Sequence, residues 1–224
     1  FLDYFATGSL NLKTAKEVMK GIVQGCKAAH LALVGGETAE MPGIYAKGEY
    51  DLAGFAVGLV KKNQIIDGSN VRSGDIILGI ESSGPHSNGF SLIRKIADSQ
   101  SQKNRSWILK QSFVPTRIYV KATQDLHKKI KKNLKGLAHI TGSGFLNIPR
   151  ISDQVDYEIS FPAKFHQPPV FDRLKKIGSL SETEMHTTFN MGIGMIAIVP
   201  PSCAKKALGI LNQHYRTHVL GIVC

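Results

Sequence analysis

The chain has 224 residues, 42% of them hydrophobic, and carries 28 Lys and Arg against 17 Asp and Glu, a formal net charge of +11. That length can bury a sizeable core in one large domain or two small ones, and the lack of any run of about 18 uncharged apolar residues excludes a membrane-spanning helix. The three cysteines, Cys26, Cys203 and Cys224, stand far apart with no Cys-x-x-Cys pair, which argues against a disulfide framework or a zinc knuckle and for a reducing cytoplasm. The apolar start Phe1-Leu2-Asp3-Tyr4-Phe5 has an acid inside it and no basic leader, unlike a signal peptide. Much of the positive excess lies in Lys128, Lys129, Lys131, Lys132 and Lys135. A run of that kind at a helix end complements the helix dipole on a solvated surface. No aromatics interleave with it, so nucleic acid is not expected as a partner.

In chain order, Phe1 to Ala6 reads as a strand with no turn before it, as though the chain entered in mid-domain after a missing upstream segment. Thr14 followed by Glu17 has the spacing of a capping box, and Ala15, Val18, Met19, Ile22, Val23 and Cys26 recur at helical spacing. Leu31 to Val34 reads as a short buried strand that empties into a loop, Gly35 to Gly43. There two glycines would let the backbone bend around a ligand beside the carboxylate of Glu37 and the hydroxyl of Thr38. Tyr50 to Val60 is nearly continuously apolar and reads as a strand buried on both faces or lying in a subunit contact. The change to polar residues and turns over 61–67 marks a domain boundary, giving domains 1–62 and 63–224.

The second domain opens with an apolar strand, Asp75 to Ile80. It leads into Ser83-Gly84-Pro85-His86-Ser87-Asn88-Gly89 and then a helix carrying Phe90, Leu92, Ile93 and Ile96. Strand, polar glycine loop and helix make an anion site, because the first amides of the helix have no intrahelical acceptor and face outward at the positive end of the dipole. The alternative is an ordinary turn capped by Ser87 or Asn88. Residues 97–111 read as a polar surface excursion with Trp107 and Ile108 dipping inward. Pro115 fits the first turn of a helix that runs through Tyr119 and Leu126 to the lysines, with Arg117 and Lys121 as solvated charges. A short strand, Leu137 to Thr141, then enters Gly142-Ser143-Gly144, a second glycine and serine loop. An alternating strand over 155–161, two short helices, the stretch Phe189 to Met195 leading into an apolar strand to Val199, a helix from Ser202 and a last strand to Val223 complete the chain. His127, His166, His214 and His218 read as surface residues, and His30 and His186 stay open. His86 and His139 lie at glycine loops, where an imidazole can donate to a phosphate or move a proton.

Taken together, six blocks give the chain a resemblance to the phosphoribosylformylglycinamidine cyclo-ligase family, also called aminoimidazole ribonucleotide synthetases. They are Phe1 to Gly8, Gly35 to Gly43, Ser83 to Gly89, Pro115 to Lys121, His139 to Gly142 and Phe189 to Met195. The resemblance implies a two-domain α+β fold shared with formylglycinamidine ribonucleotide synthetase, selenophosphate synthetase and thiamine-monophosphate kinase. In that fold two chains pair first-domain strands into a common barrel, so a homodimer is implied. It implies an ATP-dependent ligase of purine biosynthesis, in which the formamide oxygen of formylglycinamidine ribonucleotide is phosphorylated and the imidate closes to aminoimidazole ribonucleotide.

By position it implies Gly36, Glu37 and Thr38 at ATP, with Glu37 on Mg²⁺. It implies His86 as the catalytic residue, and Ser87, Asn88, Thr141, Gly142 and Asn190 on the substrate. The chain starts after the family's glycine-threonine-lysine loop and Asn-Asp pair, and the loop after Thr141 lacks the common Glu before Asn147. This piece alone is therefore expected to be nearly inactive. Other readings are a different ATP-using synthetase of the same superfamily, or a non-catalytic ribonucleotide-binding module.

Overall fold

A computed structural model describes all residues, 1–224. They divide into two compact units, Phe1–Asn63 and Gln64–Cys224.

In the first unit β1 (Leu2–Thr7) is the centre of a three-stranded sheet, parallel to β2 (Gly35–Glu40) and antiparallel to β3 (Tyr50–Phe55). Parallel neighbours need a crossover, supplied here by helix α1 (Leu12–Ala28). Its cap is Asn11, whose side chain accepts from the Thr14 amide at 3.0 Å. The helix thus begins three residues before the expected Thr14 cap, and Glu17 pairs with Lys20 instead. Phe5, Ala6, Cys26 and Ala29 are the buried apolar residues of this unit.

Other expectations fail in this unit. Leu31 to Val34 is not a strand, and Gly35 to Glu40 is a strand rather than a loop. The pairing begins where the Val34 amide reaches the Phe1 carbonyl at 3.1 Å and continues in register from Leu2 opposite Gly35. A Cβ at Gly36 would run into Asp3, so this glycine permits close strand contact rather than a bend. The apolar run 50–60 is strand only as far as Phe55, and all of it is exposed, with Phe55 63% and Val57 80% accessible. Burial on both faces is therefore not found within the chain.

The second unit is a five-stranded antiparallel sheet in the order β5 (Gly136–His139), β7 (Ile193–Val199), β4 (Ile76–Glu81), β8 (Thr217–Val223) and β6 (Tyr157–Ile159). Side chains alternate along β4, so Leu78 and Ile80 pack against α4 (Val120–Ile130) and α7 (Pro201–Leu211), while Ile77 packs with Ile148, Ile196 and Leu220 on the other face. Each fully buried Leu or Ile contributes about 2 kcal/mol, and these two faces anchor the sheet. A third cluster joins α2 (Phe90–Asp98), α3 (Gln102–Ser112), α5 (Pro169–Gly178) and α6 (Glu182–Thr188) through Ile93, Ile108, Phe171, Leu174 and Met185.

Several polar stretches take a different form from the one the sequence suggests. The expected surface excursion is the helix α3. It is held by buried Ile108 and by the Arg173 guanidinium 4.5 Å above the Trp107 ring. Pro115 lies in a segment without regular secondary structure, and the helix after it starts only at Val120. The segment following the second glycine loop is a 3-10 turn, Gly144–Arg150.

Lys135 is no surface lysine. Its Nζ lies 2.6 and 2.7 Å from the two oxygens of Asp75, which is buried and also accepts from the Arg72 amide. His214 and His218 are likewise half-buried, paired with Asp125 at 2.9 Å and Glu81 at 2.8 Å.

Candidate functional site

The antiparallel pairing fixes where the loops go. Both β4 and β5 run opposite to β7 and flank it, so their C-terminal ends, Glu81 and His139, emerge at one edge of the sheet. β7 enters between them at Ile193. Three segments thus meet at that edge: 82–89, 139–144 and 190–194.

The first loop is held from below by Asn190, which is 0% exposed. Its Oδ1 accepts from Ser82 Oγ at 3.1 Å and from the Gly192 amide at 2.9 Å, and its Nδ2 donates to the Gly84 carbonyl at 2.9 Å. Asn190 is therefore a brace beneath the loop rather than a side chain presented on it. The segment 115–119 holds the other flank. Ser83 Oγ donates to the Pro115 carbonyl at 2.7 Å, while Arg117 and Tyr119 both donate to the Glu81 carbonyl, at 2.7 and 2.9 Å. Arg117 also lies 5.1 Å from the centre of the Tyr215 ring and is half-buried, so it is a bracing side chain rather than a fully solvated charge. Burial raises the Tyr119 phenol above its usual range and keeps it a donor.

His86 sits inside this frame, 4% exposed, with φ +57°. Its Nε2 accepts from the Ser83 amide at 3.2 Å and, more weakly, from the Arg117 amide at 3.5 Å. The proton consequently belongs on Nδ1, which has no partner in the chain. Desolvation lowers its pKa to about 4, helped by the nearby His139 and Arg117. The imidazole is neutral at physiological pH. It can donate a hydrogen bond, but it is poorly matched to carrying protons near neutrality. Gly194 makes room for it, since a Cβ there would run into Tyr119 Oη and His86 Cε1. Gly89, with φ +72°, closes the loop over Phe189 and begins α2.

The second loop is braced in the same manner. Asn147, 5% exposed, donates from Nδ2 to the carbonyls of Gly142 and Gly144, both at 2.8 Å. The loops are neighbours, for a Cβ on Gly142 would lie 3.9 Å from Asn88 Oδ1. Ser87 and Gly142 are exposed, and Asn88 and Thr141 are half-buried. These four form the accessible part of the edge, with His86 and Asn190 behind them. Sequence reasoning does not single out Asn147 or Tyr119. An Asn between Leu146 and Ile148 in a helix-like stretch is the one signal that points to the former.

Gly36, Glu37 and Thr38 lie in β2, where successive side chains face opposite sides of the sheet. One ligand cannot be gripped by both Glu37 and Thr38 in the way a loop would allow. No group of three or more His, Cys, Asp or Glu side chains is placed to hold a metal ion. A lone carboxylate does not make the near-octahedral oxygen shell that Mg²⁺ requires, so the residues of this chain do not by themselves fit that ion.

A model of the C-terminal domain of AIR synthase related proteins matches residues 72–224, and one of their N-terminal domain matches residues 1–60. The chain belongs to the AIR synthase related family. Among curated relatives of this family, a phosphoribosylformylglycinamidine cyclo-ligase of Thermoanaerobacter sp. (strain X514) is 48% identical, over 95% of this chain and 65% of that protein. One of Burkholderia pseudomallei (strain 1710b) is 51% identical, over 93% and 60%. The chloroplastic/mitochondrial enzyme of Vigna unguiculata is 46% identical, over 96% and 58%. The chain thus spans about two thirds or less of the length of these relatives.

Among solved structures, the hydrogenase maturation protein HypE in complex with ATP superposes with a TM-score of 0.70 at 16% identity, covering 99% of this chain and 64% of that one. T. maritima PurL complexed with AMPPCP gives a TM-score of 0.56 at 12% identity, covering 99% and 33%. These likenesses establish the two-domain α+β fold expected from the sequence.

Proposed function

We propose that the protein carrying this chain is an ATP-dependent cyclo-ligase that converts formylglycinamidine ribonucleotide to aminoimidazole ribonucleotide in purine biosynthesis. The observation that carries this reading is the 46–51% identity to proteins of that name across nearly the whole chain. The formamide oxygen attacks the terminal phosphorus of ATP and ADP leaves. The neighbouring nitrogen then adds to the activated carbon, the carbon–oxygen bond to phosphate breaks, and the imidazole closes with loss of a proton. Such chemistry asks for positioning and charge neutralisation more than for a covalent nucleophile.

Ser87, Asn88, Thr141 and Gly142 supply polar groups at the accessible edge and hold the ribonucleotide. His86 serves as a neutral hydrogen-bond donor and a support for the loop, and Asn190 acts through Ser82 and Gly84. Gly36, Glu37 and Thr38 belong to the ATP side, one face at a time, and Glu37 is the chain's sole contribution to Mg²⁺. The exposed apolar residues Leu52, Phe55, Val57 and Val60 favour coverage by a second copy in a homodimer. The three free cysteines suit a reducing cytoplasm, and no helix is long and apolar enough to cross a membrane.

The test is product stoichiometry in the intact protein. One ADP and one phosphate are expected per aminoimidazole ribonucleotide formed. ATP hydrolysis that never yields the imidazole, or that prefers an unrelated carbonyl substrate, would contradict the assignment.

A further inference from the structure

A concavity opens beside the first loop, entirely within the second unit. It is a cleft of about 370 Å³ lined by His86, Ser87, Phe90, Arg94, Ser112 and the segment 113–116. Its composition is one-sided. Arg94 is exposed and makes no hydrogen bond or ion pair in the chain, and no carboxylate lines the cleft. Ser87 and Thr116 place hydroxyls 3.4 Å apart at its rim, and Phe90 stacks on Phe113 with ring centres 5.2 Å apart to form an apolar wall.

Two buried side-chain polar atoms lack any hydrogen-bond partner in the structure, His86 Nδ1 and Ser112 Oγ, and both residues line this cleft. Ser112 is 0% exposed and His86 4%. An unpartnered buried donor is costly to keep, and two at one cavity floor are the mark of groups completed by a ligand. By the tautomer argued above, His86 presents an N–H. Ser112 presents a hydroxyl, and Arg94 a full positive charge. The set is rich in donors and cationic, with an apolar flank.

We propose that this cleft is a phosphate monoester subsite that seats the 5′-phosphate of the ribonucleotide, with Arg94, Ser112 and Thr116 as binding residues not otherwise assigned. The assignment of that phosphate to the cyclo-ligase substrate rests on the proposed function. The anion chemistry of the cleft stands without it. His86 Nδ1 and Ser112 Oγ are closed to solvent, so the ester reaches them only with a local opening of the cleft lining. The dianion then accepts from the guanidinium and the floor together.

The intact protein is titrated with ribose 5-phosphate, inorganic phosphate and ATP, alongside the variants Arg94→Met and Ser112→Ala. Loss of a charge-assisted contact should weaken ribose 5-phosphate by roughly 10- to 100-fold in Arg94→Met and leave ATP within about twofold. Ser112→Ala should weaken ribose 5-phosphate too, while its thermal midpoint stays equal or rises. That pairing follows if the hydroxyl exists for a ligand, since deleting an unpartnered buried group relieves the fold.

Unchanged ribose 5-phosphate affinity in both variants would overturn the proposal. So would a loss confined to ATP, or inorganic phosphate binding as tightly as the ester with equal sensitivity to Arg94→Met. These titrations need no turnover. Failure of ring closure would count against the proposed function while leaving the cleft to be judged on its own.

Discussion

Asn190→Ala is expected to lower the unfolding free energy by about 4 kcal/mol, because it strips partners from several buried groups at once. Ser82 Oγ and the Gly192 amide lose their acceptor, and the Gly84 carbonyl loses its donor. Each such orphan costs about 1–3 kcal/mol, and the side chain is 0% exposed, so water cannot take its place without opening the core. Asn190→Asp should not rescue stability, since it keeps the acceptor but removes the Gly84 contact and puts a charge where there is no cation. Urea denaturation of the three proteins measures this. A variant within about 0.5 kcal/mol of the parent would mean that the loop is held by something other than this brace. The same substitution should also lower affinity for the ribonucleotide, because Ser82 and Gly84 set the course of the loop that carries Ser87 and Asn88.

The second large effect is a dependence of stability on pH between about 4 and 6.5, most of which is lost in His86→Gln. The folded protein holds His86 down to about 4, whereas an imidazole in the unfolded chain titrates near 6.5. Across that interval the unfolded state binds the extra proton. The neutral histidine therefore contributes its full stabilisation above about pH 6.5, and the contribution drains away as pH falls towards 4. A tenfold difference in proton affinity between the folded and unfolded chain corresponds to about 1.4 kcal/mol, so roughly 3 kcal/mol is lost in all. Desolvation lowers His139 too, which adds to the slope in the same direction and persists in the variant. Glutamine can offer an acceptor to the Ser83 amide without titrating. The difference between the two stability curves should hence grow from near zero at pH 4 to its plateau by pH 7. Parallel curves over the whole range would show that His86 is not held neutral by the fold.

Much of the second unit was legible in the sequence, because its strands and helices carry strong periodicity. The apolar run 75–80 and the helical spacing after Gly89 each became the element expected, and the alternation at 155–161 became a strand only over Tyr157–Ile159. The loops after β4 and β5 were found as glycine and serine stretches between a strand and a helical turn, and the antiparallel order of the sheet brings them to one edge. What the sequence did not convey was which polar residues face inward. Asn190 and Asn147 look like ligand or turn residues until the fold places carbonyls and amides around them. Lys135, at the end of a lysine run, becomes a half-buried partner of buried Asp75 only because the fold sets the residue before β4 beside it.

The first unit is less legible in its sequence. Gly35-Gly36 has the composition of a bend, but pairing with β1 is satisfied only if the backbone stays extended, and the glycines then serve the close contact with Asp3. The apolar run 50–60 has the composition of a buried strand, yet nothing in the chain covers it. Composition reports a preference for burial without naming what supplies it.

Hydrogen–deuterium exchange on the intact protein, with and without formylglycinamidine ribonucleotide, is the most direct trial of the shared edge. Protection is predicted to rise together over residues 82–92 and 139–147, the amides flanking the two glycine loops, and to leave α7 and β6 unchanged. Slowed exchange at only one of those loops, or at distant surfaces with both loops untouched, would contradict the account.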